Sequence, residues 1–344
     1  MLNLRLKHLL GCALVAVAIL LYYRFRKSPF QWNVFLATFT GVDWFWFLTS
    51  ICLILLTYVG RTLRWAVMLQ PLREHPSLWN INSATVIGFT AIFLLGRPGE
   101  LVRPYLISIK ERVSFSSQMA AWLLERIFDL LMVLLIFGYS LTNIETNAGF
   151  GAGLQWVLHT GGYLAVGIGT VCILVLVAFR SFSDVAQQRI MSALAFLPEP
   201  PRRRISRTLA AFAEGMIVTR NARRLGLLVF YTVLEWALIV GGMFAFLHAF
   251  SITSRLHLTD VMIFVGFVSF GSILQIPGIG GGVQVVSALV LTEIFGLPLE
   301  AATGLALLIW VFTFVVIVPF GLLFAFHEGI NLQKLKHLPE EASA

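Results

Sequence analysis

Charged residues and helix breakers occur together in the ten-residue stretch GRPGELVRPY, at positions 96 to 105, directly after the apolar run IGFTAIFLL. Arg97 and Arg103 supply guanidinium groups, which hold phosphate through paired hydrogen bonds. The Pro-Gly pair between them predicts a break in the apolar helix and a new helix near Glu100, whose free amides attract anions. Glu100 itself could orient an arginine or bind an amine. This stretch therefore predicts a binding site for a charged headgroup.

A second charged motif, WLLERIFDLL, lies inside the next apolar segment. Glu125 and Asp129 are four residues apart and share one helical face, with Arg126 about 100 degrees round from Glu125. Ionisable groups inside a membrane span are costly and usually face a partner or a wet cavity. We therefore predict that these three side chains face the 96–105 stretch, either as a structural ion-pair network or in direct contact with a substrate.

The composition indicates what kind of protein positions these groups. Of the 344 residues, 58% are hydrophobic and only 12% are charged, and the mean hydropathy is +0.86. These values predict an all-α polytopic membrane protein, and the continuous apolar runs argue against a membrane β-barrel. We predict six spans, near 8–23, 43–70, 115–142, 155–180, 224–250 and 298–327.

Two further apolar regions, 80–109 and 260–296, are interrupted by Pro and Gly. If each is a re-entrant pair of half-helices, the six spans place both termini in the cytoplasm. The alternative is that both regions cross the bilayer as shallow helices.

The order of segments divides a single transmembrane domain, 1–344, into two repeats at about 8–142 and 155–327. IGFTAIFLLGRPG (87–99) matches VGFVSFGSILQIPG (265–278) with a one-residue gap, and the sequence of 121–131 aligns with that of 305–315. The broken regions enter from opposite sides in this topology, which predicts an inverted-repeat helix bundle. Many secondary transporters build a midplane site this way. The alternative is that Pro and Gly only kink packed helices.

The second broken region contains the uncharged stretch QIPGIGGGVQ. It lacks the Lys-Ser/Thr of a nucleotide-binding loop, which argues against that role. We predict that it contributes to substrate binding as a gate or lipid-tail groove, through Gln275, Gly278, Gly280 and Gln284. A hinge or a close approach of two helices is the alternative.

Positive charge is unevenly distributed in this chain, whose net charge is +8. Nine arginines lie between 180 and 224, whereas 143–154 has no Lys or Arg. The loop at about 181–223 is therefore predicted to be cytoplasmic, in a protein of the cytoplasmic (inner) membrane. We expect this loop to contact anionic lipid headgroups and not nucleic acid.

Features of catalysis are weak. The seven histidines have neither zinc-site spacing nor an adjacent nucleophile. We therefore predict that the protein is not an enzyme and uses no metal or cofactor.

The stretch GRPGELVRPYLI followed by LLERIFDLL resembles the lysylphosphatidylglycerol synthase transmembrane-region family, which includes the flippase part of multiple peptide resistance factor proteins. The resemblance extends over nearly the whole chain. It implies Glu100, Arg103, Glu125, Arg126 and Asp129 as the matching family positions. It also implies lipid handling and not aminoacyl transfer, because the soluble synthase domain of fused members is not found here.

The chain departs from the family pattern in its second half. Gln284 stands where the family commonly has glutamate, and Trp310 stands where it commonly has arginine. The second half is thus nearly uncharged, which leaves polyprenyl-linked and terpenoid lipids open as substrates beside phospholipids.

These inferences lead to the main hypothesis, a flippase-like translocase that moves an amphiphilic membrane lipid between leaflets, passively or coupled to an ion. Two alternatives remain: a membrane-embedded lipid-modifying enzyme, and a non-catalytic partner of a lipid or glycan synthesis enzyme.

Overall fold

The computed structural model describes residues 30–143, 221–272, 275–276 and 280–329, together with 160, 163, 167–171, 174 and 218. The predicted span near 8–23, most of the span near 155–180, most of the arginine-rich loop and Gly278 lie outside these residues. What the sequence predicts for them stays a prediction.

The described residues are almost entirely helical, which confirms the predicted all-α class. The helices are α1 Trp32–Ala37, α2 Trp44–Leu69, α3 Leu78–Leu95, α4 Val102–Glu111, α5 Phe115–Asn143, α6 Ala222–His248, α7 Leu258–Gly271, α8 Gly282–Leu289, α9 Leu299–Trp310 and α10 Val318–His327. A 3₁₀ segment, Arg97–Leu101, joins α3 to α4, and π-helical segments follow α8 at Val290–Ile294 and α9 at Val311–Val315. The strands β1 Gln275–Ile276 and β2 Gly280–Gly281 pair antiparallel.

Several helices have the length and apolar surface of membrane spans. Among the described residues, four are long and apolar enough to cross a bilayer: Trp44–Leu69, Leu78–Leu95, Ala222–His248 and Leu299–His327. On α2, exposed apolar side chains recur every three or four residues, at Trp44, Leu48, Cys52, Leu56 and Val59. This spacing forms one outward-facing stripe, as expected for a helix that contacts lipid.

Polar side chains define where three of the long helices begin. Asp43 accepts hydrogen bonds from two amides of the first turn of α2, at 2.9 and 3.3 Å. Ser77 and Asn221 accept from first-turn amides of α3 and α6 in the same way. These N-caps satisfy donors that have no partner within the helix.

Helices α2 and α6 form an antiparallel central pair. The Asp43 amide before α2 donates to the Ala249 carbonyl after α6, at 2.9 Å. A Cβ atom placed on Gly242 of α6 would lie 3.6 Å from the Cβ of Leu53 in the middle of α2. One helix from each predicted repeat therefore contributes to the centre of the bundle.

Helices α3 and α4 form an antiparallel hairpin, called the first hairpin (78–111). At its open end, Asn80 Nδ2 donates to Glu111 Oε1 at 2.7 Å. At its tip, Gly96 ends α3 with a φ of 71°, and a Cβ on Gly99 would lie 2.4 Å from the Ala91 backbone. Glycine is required at both positions, by backbone conformation at the first and by close approach at the second.

The second broken region is also a hairpin, called the second hairpin (258–294), formed by α7 and α8. At its tip, Gln275 pairs with Gly281 and Ile276 with Gly280 in the two-residue ladder. A Cβ on Gly271, at the end of α7, would lie 2.8 Å from the Gly282 carbonyl oxygen. This hairpin begins just after α6 ends, whereas the first begins just after α2 ends. Because α2 and α6 are antiparallel, the two hairpins open toward opposite ends of the bundle.

Each hairpin packs against the long helix that follows the other one. A Cβ on Gly266 of α7 would lie 3.7 Å from the Cβ of Phe137 in α5. A Cβ on Gly321 of α10 would lie 2.6 Å from the Cβ of Thr90 in α3 and 2.9 Å from the Val86 carbonyl oxygen. The two halves are thus interlocked through reciprocal contacts.

Candidate functional site

Seven ionisable side chains form one continuous set of ion pairs inside the bundle, called the charged network. It extends from α2 through α4 and α5 to α6, so it joins both halves of the chain. Its members are Arg61, Arg64, Arg103, Glu125, Arg126, Asp129 and Glu235.

Arg64 lies at the centre of the charged network and is fully buried. Its Nη1 donates to Asp129 Oδ1 at 2.7 Å, and its Nη2 lies 3.1 Å from Glu235 Oε2. The same Nη2 also donates to Glu125. A single guanidinium therefore holds three carboxylates, which is possible because its five donors point in fixed, separate directions.

Arg103 connects the first hairpin to the charged network by pairing with Glu125. Its guanidinium lies over the ring of Trp65, 4.2 Å from the centroid, and 5.3 Å from that of Phe89. Gly88 makes this position possible, because a Cβ there would lie 2.6 Å from the Cβ of Arg103. The aromatic faces stabilise the cation where water is excluded.

Glu235 is the contribution of the second half of the chain. It lies on α6, is almost completely buried, and one of its carboxylate oxygens is 2.7 Å from Arg61 Nη2. The Arg61 guanidinium is 4.6 Å from the centroid of the Phe89 ring. Glu235 therefore links α6 to two arginines of α2 at the level of the first hairpin.

The outer edge of the site is formed by side chains that are only partly buried. Arg97 Nη1 pairs with Glu100 Oε1 at 2.7 Å, and their side chains are 53% and 16% exposed. Arg126 is 39% exposed and pairs with Asp129 at 3.1 Å and more distantly with Glu125 at 3.6 Å. These groups are accessible, whereas Arg64 and Glu125 are not.

Of the residues predicted from the sequence in the first half, Arg103 and Glu125 are in contact and join the 96–105 stretch to the ERIFD motif, while Arg97 pairs with Glu100. One detail differs: a 3₁₀ turn occupies 97–101, so the helix proper begins at Val102 and not near Glu100. In the second hairpin, Gln284 Oε1 accepts from the Gly281 amide at 2.5 Å, and Gln275 and Gly280 belong to the strand ladder. A role in substrate binding stays a prediction for all of these residues.

Sequence reasoning missed Arg61, Arg64 and Glu235 as members of the site. Both arginines lie near the end of a predicted span, 43–70, where basic residues are common on the cytoplasmic side and need no ion-pair partner. Glu235 is an acidic residue in the middle of an apolar run, and that position alone would have marked it as a candidate.

The described residues contain no group of three or more His, Cys, Asp or Glu side chains that could hold a metal ion. What they do contain is a set of buried ion pairs in a bundle of apolar helices.

Fold and site together define a polytopic helical membrane protein with a buried charged network beside a broken helical hairpin. Residues 8–321 match the family model for the lysylphosphatidylglycerol synthase TM region. The chain belongs to this family, which associates it with the membrane and with lipids. Comparison with curated proteins and with solved structures gives no significant match.

Proposed function

We propose that the protein is a flippase-like translocase that moves an amphiphilic lipid, a phospholipid or a polyprenyl- or terpenoid-linked lipid, between the leaflets of the cytoplasmic membrane. The observation that carries the proposal is the buried charged network and its accessible edge at Arg97, Glu100 and Arg126. Charges inside a bilayer are costly and usually mark a substrate or ion pathway. A polar headgroup could cross the membrane along such groups while its tails stay in lipid.

The arrangement of the two hairpins supports alternating access. They open toward opposite ends of the bundle, as inverted repeats with re-entrant segments would. In the register that aligns 121–131 with 305–315, Phe137 corresponds to Gly321. Phe137 packs on Gly266, and Gly321 packs between Val86 and Thr90, which flank the matching residue Gly88. Reciprocal contacts of this kind are what a pseudo-two-fold axis produces, and rocking of the halves would expose the site to each leaflet in turn.

The remaining parts of the proposal follow from charge distribution. Both termini and the arginine-rich loop at 181–223 are on the cytoplasmic side, where the loop contacts anionic lipid headgroups. Transport is passive or coupled to an ion, without chemical change of the lipid.

The test is leaflet exchange of fluorescent phospholipids and a fluorescent polyprenyl phosphate in proteoliposomes. Glu100→Gln removes the partner of Arg97 at the accessible edge, and we expect roughly tenfold slower exchange, equivalent to about 1.4 kcal/mol of barrier. Glu74→Gln is the matched control, because Glu74 is exposed in the loop after α2. This variant should exchange lipid between leaflets at the wild-type rate.

Absence of exchange for every lipid would overturn the proposal. Product formation from lipid without exchange would favour a membrane-embedded enzyme. Retained function in cells for the Glu100 variant would favour a non-catalytic partner of a synthesis enzyme.

A further inference from the structure

The charged network does not balance its own charge. Four arginines, Arg61, Arg64, Arg103 and Arg126, meet three carboxylates, Glu125, Asp129 and Glu235. Arg97 and Glu100 add one charge of each sign at the edge. Among the described residues, the site therefore carries one positive charge in excess.

The excess charge has an identifiable location. Arg64 and Arg103 are buried and each pairs with a carboxylate that is itself buried, whereas 39% of the Arg126 side chain is exposed. The Nε atoms of Arg61, Arg64 and Arg126 are all buried without a hydrogen-bond acceptor among the described residues, but the Arg61 and Arg64 side chains are only 14% and 0% exposed. Among the described residues, the ion-pair partners of Arg126 are Glu125 and Asp129, and Arg64 shares both carboxylates. Arg126 is thus the arginine with unused binding capacity next to the accessible edge.

We propose that this site selects a phosphodiester with a single negative charge, held by Arg126 beside Arg97 and Glu100. This inference rests on the proposed function and narrows its substrate class. The excess positive charge attracts an anion, and at the partly buried Arg126 this attraction is screened less than it would be in bulk water, so one added negative charge stabilises the site. A bidentate contact between guanidinium and phosphate supplies the geometry.

Other headgroup charges fit the site less well. A zwitterionic headgroup brings a phosphate and an ammonium together, so the excess positive charge remains. A diphosphate brings at least two negative charges, which leaves the site negative overall. Among the lipids considered above, phospholipids of the phosphatidylglycerol type and polyprenyl phosphodiesters are therefore preferred over phosphatidylcholine and polyprenyl diphosphates.

The test is equilibrium lipid binding to the purified full-length protein in nanodiscs, by competition among lipids with identical acyl chains. Phosphatidylglycerol is the monoanionic probe, phosphatidylcholine the zwitterionic probe and phosphatidic acid at pH 9 the dianionic probe. We expect wild type to prefer phosphatidylglycerol by roughly tenfold over each of the others, since charge-assisted contacts decide the difference. Glycerol 3-phosphate and inorganic phosphate, tested as competitors, distinguish a lipid headgroup from a free phosphate.

Two variants change the charge of the site in opposite directions. Arg126→Gln removes the excess and should abolish the preference for phosphatidylglycerol over phosphatidylcholine. Asp129→Asn raises the excess to two and should shift the preference toward the dianionic probe. Arg255→Gln is the matched control, because Arg255 is exposed in the turn before α7, and it should bind as wild type does. Melting temperature and gel filtration verify that each variant is folded.

Equal binding of phosphatidylglycerol and phosphatidylcholine by wild type would overturn the inference. So would an unchanged preference in folded Arg126→Gln and Asp129→Asn, and so would full competition by inorganic phosphate. These results are separable from failure of the proposed function, since binding is measured without leaflet exchange. Charge-selective binding without exchange would overturn only translocation, and exchange without charge selectivity would overturn only this inference.

Discussion

Glu125→Gln removes the carboxylate on which the charged network depends most. Glu125 is fully buried, pairs with Arg64 and Arg103, and lies 3.6 Å from Arg126 Nη2. Glutamine keeps the shape of the side chain but removes its negative charge. The substitution therefore leaves two excess positive charges in the network where the wild type has one.

The expected loss of stability is large. Removing one partner of a buried ion pair typically costs about 3–5 kcal/mol, because the remaining charge is left uncompensated. We expect a loss of about 3 kcal/mol, at the lower end, since the amide oxygen of glutamine can still accept a hydrogen bond from Arg64 or Arg103. This loss is several times what a surface substitution usually causes.

The assay is reversible unfolding of the purified protein in mixed micelles with increasing denaturing detergent. Glu74→Gln, at an exposed position, is the control and should lie within about 0.5 kcal/mol of wild type. Adding Arg103→Met to Glu125→Gln removes a cation that lost its partner, so the double variant should be more stable than the sum of the two single losses predicts. A loss below about 0.5 kcal/mol for Glu125→Gln, or strict additivity in the double variant, would refute the reasoning.

Two further predictions concern the first hairpin. Gly88→Ala should destabilise the protein by about 1–3 kcal/mol, because the new Cβ would lie 2.6 Å from the Cβ of Arg103. Gly60→Ala is the control and should be neutral or stabilising, because a Cβ there would meet nothing within 4 Å. The same unfolding assay compares the two variants, and equal stabilities would contradict the close packing at Gly88. Glu111→Gln weakens the contact with Asn80 at the open end of the hairpin and should speed amide hydrogen exchange at the start of α3. Mass spectrometry measures the exchange rate, and unchanged protection would show that this contact does not stabilise the start of α3.

The positions of the helices could be predicted from the sequence because apolar runs and Pro-Gly breaks are local features. The breaks at 96–99 and in the second hairpin mark the tips of two hairpins. The 3₁₀ turn at 97–101 was not predicted, because the same residues are compatible with an α-helix that begins earlier. The π-helical segments Val290–Ile294 and Val311–Val315 have no comparable feature in their sequences.

The candidate site was predicted only in part, because ion pairing joins residues that are distant in sequence. The four-residue spacing of Glu125 and Asp129 indicates a shared face, and Arg103, the partner of Glu125, lies in the nearby broken segment. Arg64 and Glu235 lie on α2 and α6, and only the antiparallel packing of those helices brings the two side chains within 3.1 Å. No spacing rule within one helix reveals such a contact.

The most direct test of translocation by relative movement of the two halves is a reversible cross-link between them. Phe137→Cys and Gly266→Cys would place two Cβ atoms about 3.7 Å apart, within the range of disulfides, and would join α5 to the second hairpin. The native cysteines are replaced first: Cys12, Cys52 and Cys172. Leaflet exchange is then measured in the same proteoliposomes before oxidation, after oxidation and after reduction.

The account predicts that oxidation stops exchange and that reduction restores it. An unchanged exchange rate with the cross-link complete by mass spectrometry would contradict the account.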